Sequence, residues 1–145
     1  MSKITPFLWF DGQAEDAAKF YTAIFKRSRI ESVSPMSATF YLDGQKFMAL
    51  NGGPQFKFTE AISFFVHCET QAEVDELWEQ LSTGGTTQMC GWLKDKFGVS
   101  WQIIPSVLGK MLQDENETKS HRVMNAMLQM AKLDIRALTN AYEGR

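Results

Sequence analysis

One apolar pattern occurs twice in this 145-residue chain, and a chain that repeats itself in this way builds the same small unit two times. At an offset of 57, Pro6-Phe7-Leu8 falls on Ser63-Phe64-Phe65, and Ala17, Phe20, Tyr21 and Ile24 fall on Val74, Leu77, Trp78 and Leu81. Past the hairpin glycines the offset becomes 54: Gly44, Phe47 and Met48 match Gly98, Trp101 and Gln102. The copies thus differ by a short stretch of loop.

In the first copy, residues 4–10 (ITPFLWF) are an aromatic run stopped by Asp11-Gly12, which predicts a strand. From Gln13 the period lengthens: Ala14, Ala17, Ala18, Tyr21, Ile24 and Phe25 form the stripe of an amphipathic helix that packs on a sheet. Strands follow over 29–34, 37–42 and 46–51, the last two joined across Asp43-Gly44, where glycine permits the positive φ of a tight hairpin. The copy reads β-α-β-β-β. The stretch 51–58, with turn residues first and Phe56 and Phe58 last, suits a connector or a lid.

The second copy begins with a strand over 62–68 (ISFFVHC) and a helix carrying Val74, Leu77, Trp78 and Leu81, ended by Gly84-Gly85. A poorly marked strand lies near Thr86-Thr87. Strands over 88–94 and 99–104 flank the Asp95–Gly98 turn, with Lys94, Asp95 and Lys96 as a solvated tip and Pro105 closing the sheet. Beyond Pro105 the helical interval returns in Leu108, Met111 and Leu112, in Met124, Met127 and Leu128, and in Ile135, Leu138 and Tyr142, with Asp134 as an N-cap. This tail covers its own module or crosses to a second chain.

The expected architecture is α+β: two tandem βαβββ modules, about 4–58 and 61–105, forming a curved mixed sheet around a central groove. C-terminal helices over 106–145 complete a single domain spanning 1–145. Composition removes several classes of function. Lys+Arg 15 against Asp+Glu 17, with pI ≈ 5.7, offers no cationic field for a phosphate backbone, so no nucleic-acid partner is expected. No apolar run approaches the roughly 18 to 20 residues that span a bilayer, and MSKITPFLWFDG lacks a signal peptide's order, so a cytoplasmic protein without a membrane partner is expected. Cys68 and Cys90 are too few for a disulfide scaffold and match no zinc spacing, which predicts reduced thiols.

The runs FLWFDGQAEDAAKFY, FMALNGGPQFKF and CGWLKDKFGVSWQIIP, followed by a helical tail, resemble the PhnB-like family labelled 3-demethylubiquinone-9 3-methyltransferase. That family belongs to the vicinal oxygen chelate (glyoxalase/bleomycin resistance/dihydroxybiphenyl dioxygenase) superfamily, and the resemblance covers about residues 4–105. It implies ligands held between paired modules, assembly as a homodimer, and, in the superfamily's enzymes, a divalent metal held by the first and last strands of each module. Those four places fall on Pro6, Met48, Ser63 and Gln102. Proline, methionine and serine cannot supply the charge that offsets dehydration of a hard cation, so no metal is expected. His67 and His121, the two imidazoles, lie in different elements without a nearby carboxylate pair. The label itself implies S-adenosylmethionine, which usually sits on a doubly wound sheet after a glycine-rich turn. Neither Gly52-Gly53 nor Gly84-Gly85 lies in that setting, so no cofactor is expected.

With Pro6 and Ser63 facing the groove, alternation puts Leu8, Phe10, Phe65 and His67 on that side and Phe7, Trp9, Phe64, Val66 and Cys68 against the helices. Such a lining suits a small hydrophobic or aromatic ligand, with Phe10, Met48, Phe65 and Trp92 as walls and Ser63, Gln102, Asn51 and Gln55 orienting its polar atoms. His67 serves either as an acid/base group or as a hydrogen-bonded rim residue, and Gln102 either orients a ligand or is a satisfied core amide. Three functions compete: a binding module of the bleomycin-resistance type, a metal-independent enzyme using His67 as its catalytic acid or base, and a scaffold whose helices recruit partner proteins. The scarcity of ionisable groups favours the first over the second.

Overall fold

The computed structural model describes residues 2–145. The first of its two units ends at Thr59 and contains β1 (Phe7–Phe10), α1 (Ala14–Ile24), β2 (Arg29–Val33), β3 (Ser37–Leu42) and β4 (Gln45–Asn51). The strands form one sheet in the order β1-β4-β3-β2, with β1 parallel to β4 and the other pairs antiparallel. This is the expected βαβββ unit. Asp43 and Gly44, both at positive φ (48° and 80°), make the tight β3–β4 hairpin. Apolar spacing fixes the helix face: Ala14, Ala17, Ala18 and Tyr21 are buried, Tyr21 lies against Phe40, and Phe40 stacks on Phe47 with centroids 5.5 Å apart. Gln13 gives α1 no side-chain cap. Asn51 at the end of β4 does so instead, its Oδ1 accepting from Ala14 N–H at 2.8 Å.

The second unit begins at Glu60 and repeats the order with β5 (Phe64–Cys68), α2 (Gln71–Ser82), β6 (Thr86–Thr87), β7 (Trp92–Lys94) and β8 (Ser100–Pro105). Its sheet runs β5-β8-β7-β6, with β5 parallel to β8. Thr70 caps α2 by accepting from Glu73 N–H, while Glu73 Oε1 accepts from Glu69 N–H, closing the turn from both sides. The poorly marked strand at Thr86-Thr87 is only those two residues long.

Two expectations change here. The strand expected over 88–94 shrinks to Trp92–Lys94, because Cys90 and Gly91 adopt positive φ (63° and 83°) and send their N–H groups to the carbonyls of Met130 and Ala131. Asp95, expected at a solvated tip, is 3% exposed. Its carboxylate accepts from Phe97 N–H, Val99 N–H and the Trp101 indole N–H at 2.8, 3.0 and 2.9 Å, locking the hairpin from inside.

The tail forms α3 (Ser106–Leu112), α4 (Glu117–Met127) and α5 (Ile135–Glu143), the last capped by Asp134 through Ala137 N–H. It docks on its own unit: Ile104 of β8 joins Leu108, Met111, Val123, Leu133 and Leu138 in one buried cluster. Gln71 at the start of α2 clasps the tail backbone, donating to Leu133 C=O at 3.0 Å and accepting from Ile135 N–H at 2.7 Å. Among the described residues no helix is long and apolar enough to cross a membrane.

Candidate functional site

Each sheet has one face under its helix and one open face, and strand phase decides which side chains reach the open one. In the second unit Phe64, Val66, Cys68, Leu93, Trp101 and Ile103 share the helix face. Ser63, Phe65, His67, Trp92 and Gln102 therefore share the open face, as the sequence led us to expect. Phe65 pairs with Gln102 in parallel register and Gln102 with Trp92 in antiparallel register, so an aromatic ring, an amide and an aromatic ring line up across three strands. The Gln102 amide donates to Ser63 Oγ at 2.9 Å, which fixes its orientation. Phe65 is 48% exposed, and its ring lies 4.8 Å from that of His67. Among the described residues His67 has that ring contact and neither a hydrogen-bond nor an ion-pair partner.

In the first unit the phase is opposite to expectation. Leu8 pairs with Ala49 and Val66 with Ile103, so the first strands of the two copies correspond at an offset of 58 (Leu8 to Val66), whereas the last strands keep 54 (Ala49 to Ile103). A slip of one residue exchanges the two faces of a strand. Leu8 and Phe10 consequently lie on the helix side, Phe10 at 2% exposure with Phe58 edge-on to it, and Phe7 and Trp9 take the open face with Met48. Phe10 is a core residue rather than a ligand wall.

Asn51 is also committed elsewhere. Besides capping α1, it donates to Pro35 C=O at 3.1 Å. Gln55 stands exposed in the turn of the connector. That connector is pinned to β1: the Trp9 indole donates to Gly53 C=O at 2.9 Å, and Phe56 packs edge-on against Trp9 at 4.9 Å. Gly52 is needed for close approach, since a Cβ there would stand 2.3 Å from the Trp9 ring. Exposed glutamine and asparagine fit both roles in a sequence. Only the three-dimensional position of the α1 N-terminus distinguishes them.

The one-residue slip also moves the place corresponding to Ser63 from Pro6 to Thr5. The four places that the resemblance to the superfamily implies therefore become Thr5 and Met48 on the open face of the first sheet and Ser63 and Gln102 on that of the second. None carries an imidazole or carboxylate, and Ser63 already holds the Gln102 amide. Among the described residues no three His, Cys, Asp or Glu side chains form a group able to hold a metal ion. These donors do not fit a hard divalent cation. A nucleotide-type cofactor fits no better. The Gly52 turn is filled by Trp9, and Gly85 lies so close to the Lys94 carbonyl that a Cβ would stand 2.1 Å from it.

The family profile described as 3-demethylubiquinone-9 3-methyltransferase matches residues 2–104. The chain belongs to this family. A PhnB protein from Bacillus cereus is 39% identical, with a TM-score of 0.67 over 72% of this chain and 99% of that one. Two further solved structures share this fold. One is the fosfomycin resistance protein FosX from Listeria monocytogenes, complexed with Mn(II) and sulfate: 14% identity, TM-score 0.58, covering 78% of this chain and 97% of that one. The other is a glyoxalase/bleomycin resistance protein from Albidiferax ferrireducens: 16% identity, TM-score 0.50, covering 69% and 95%. A comparison with curated proteins finds no match.

Proposed function

We propose that this PhnB-like chain binds a small planar aromatic or hydrophobic metabolite on the open face of its second sheet, without a metal or cofactor. The observation that carries the reading is the row Phe65–Gln102–Trp92, in which Ser63 orients an amide between two aromatic side chains. Rings supply apolar and stacking contact, while the Gln102 carbonyl and the Ser63 hydroxyl offer an acceptor and a donor to a polar edge.

Binding is favoured over catalysis because, among the described residues, His67 has no hydrogen-bond or ion-pair partner to orient it as an acid or base. A homodimer is part of the proposal, supported by the exposure of Ile4, Phe7 and Ile62. So is a cytoplasmic location, supported by the unpaired Cys68 and Cys90. Residues 1–145 are taken to act as one domain.

Native mass spectrometry and calorimetry against a set of mono- and bicyclic aromatic compounds test the reading. Gln102→Ala and Phe65→Ala should each weaken a hit by about 10-fold or more. Affinity unchanged in both variants would refute the site. Turnover of a hit that disappears in His67→Ala, with binding retained, would favour the enzymatic alternative.

A further inference from the structure

We infer that the C-terminal extension is a wall of this ligand face and sets the length of the molecule it accepts, an inference that rests on the function proposed above. The family match ends at residue 104, where the extension takes over the sheet. Ile104 pairs with His67 and lies on the same face as Gln102, yet it is 7% exposed while Phe65, one row away, is 48% exposed. The difference comes from the extension. Leu108, Met111 and Leu133 belong to the cluster that buries Ile104. The open face therefore runs from the Ser63 row to the Ile104 row, a strand advance of about 13 Å.

The wall is anchored on both flanks. On the β7 side, Cys90 N–H and Gly91 N–H donate to the carbonyls of Met130 and Ala131 at 2.7 and 2.9 Å. Gly91 is required there: a Cβ would meet Ile104 Cδ1 at 2.9 Å and Leu133 Cδ1 at 3.1 Å, on a residue already at φ +83°. On the α2 side, Gln71 makes its two bonds to the Leu133 and Ile135 backbone, and Lys132 pairs with Asp75 at 2.9 Å. A ligand on the Phe65–Gln102–Trp92 row thus abuts Ile104 and Leu133 at the carboxyl end of β8. A one- or two-ring compound fits within that span. A longer apolar molecule cannot continue past the wall.

The probes are anilinonaphthalene sulfonate and its dimeric form, bis-anilinonaphthalene sulfonate, titrated by fluorescence into the full chain, Phe65→Ala, Leu133→Ala and Gln71→Ala. Native near-ultraviolet circular dichroism is the entry condition for each protein. Gln71→Ala, which removes three hydrogen bonds (to Leu133, Ile135 and Asp75) and no core volume, carries the test if Leu133→Ala loses its fold. Phe65→Ala should weaken the short probe by about 10-fold. Opening the wall should improve the long probe relative to the short one by about 10-fold. An unchanged ratio, with Phe65→Ala still weakening the short probe, overturns the wall and leaves the proposed function standing. If Phe65→Ala has no effect, the proposed function fails and the wall with it.

Discussion

Cys68 and Cys90 differ in how far the fold covers their thiols, Cys68 being buried and Cys90 half-buried. Burial pushes the Cys68 thiol up from 9.0 to about 12, with the nearby Glu73 and Glu69 charges adding to the effect. A thiol that ionises less readily when folded binds its proton more tightly in the native state. Its contribution to stability is therefore complete below the unfolded value near 9 and is lost as pH rises toward about 12. Equilibrium unfolding at several pH values should show the intact chain losing stability over that window more steeply than Cys68→Ala; equal slopes would contradict the assignment. Iodoacetamide at neutral pH should label the half-buried Cys90 and reach Cys68 only on unfolding, read by peptide mass. Ser100 poses the converse case. Among the described residues its buried hydroxyl has no hydrogen-bond partner, so Ser100→Ala should leave stability unchanged or raise it by about 1 kcal/mol in a denaturant titration.

Elements in this chain start and stop where side chains from other elements supply what the local sequence lacks. The α1 N-terminus needs an acceptor that Gln13 does not provide, and Asn51, distant in sequence, provides it. Asn51→Ala should cost about 1 kcal/mol, measured by urea unfolding, while Gln13→Ala should cost almost nothing. Local periodicity had shown both helices and the hairpin at Asp43-Gly44, because those signals lie within a few adjacent residues. It could not show which face of β1 is covered. Alternation over four residues fits either phase, and the register against Met48 and Ala49 is fixed only when β4 pairs with β1. The shortened β7 has the same origin: the groups that turn Cys90 and Gly91 out of the strand belong to the tail, roughly forty residues farther along the chain. Trp9 and Gly52 form a comparable long-range pair. Gly52→Ala should lower stability by about 1–3 kcal/mol and release the indole from Gly53, visible as a change in tryptophan fluorescence.

At the level of the whole molecule, duplication was readable because two copies of a βαβββ unit leave two copies of an apolar pattern, and both units take that form. The chemistry of the open faces follows from substitutions on that shared frame. On that frame the open faces present Thr5 and Met48 in the first unit and Ser63 and Gln102 in the second, four side chains without a formal charge among them. A divalent ion leaving water loses hydration that such donors cannot replace, whatever their spacing. The consequence is measurable in the stability of the intact protein. An ion that binds the native state alone adds about 2.7 kcal/mol when present at 100 times its Kd, which raises the Tm of a chain this size by about 5–10 °C. Millimolar Mn²⁺ or Zn²⁺ should therefore leave Tm unchanged, and dialysis of freshly purified protein against a chelator should not lower it. A rise of several degrees with Mn²⁺, reversed by chelator and retained in Met48→Ala and Gln102→Ala, would place an ion elsewhere on the molecule. The same rise abolished by either substitution would show that the thioether or the amide is an ion ligand after all.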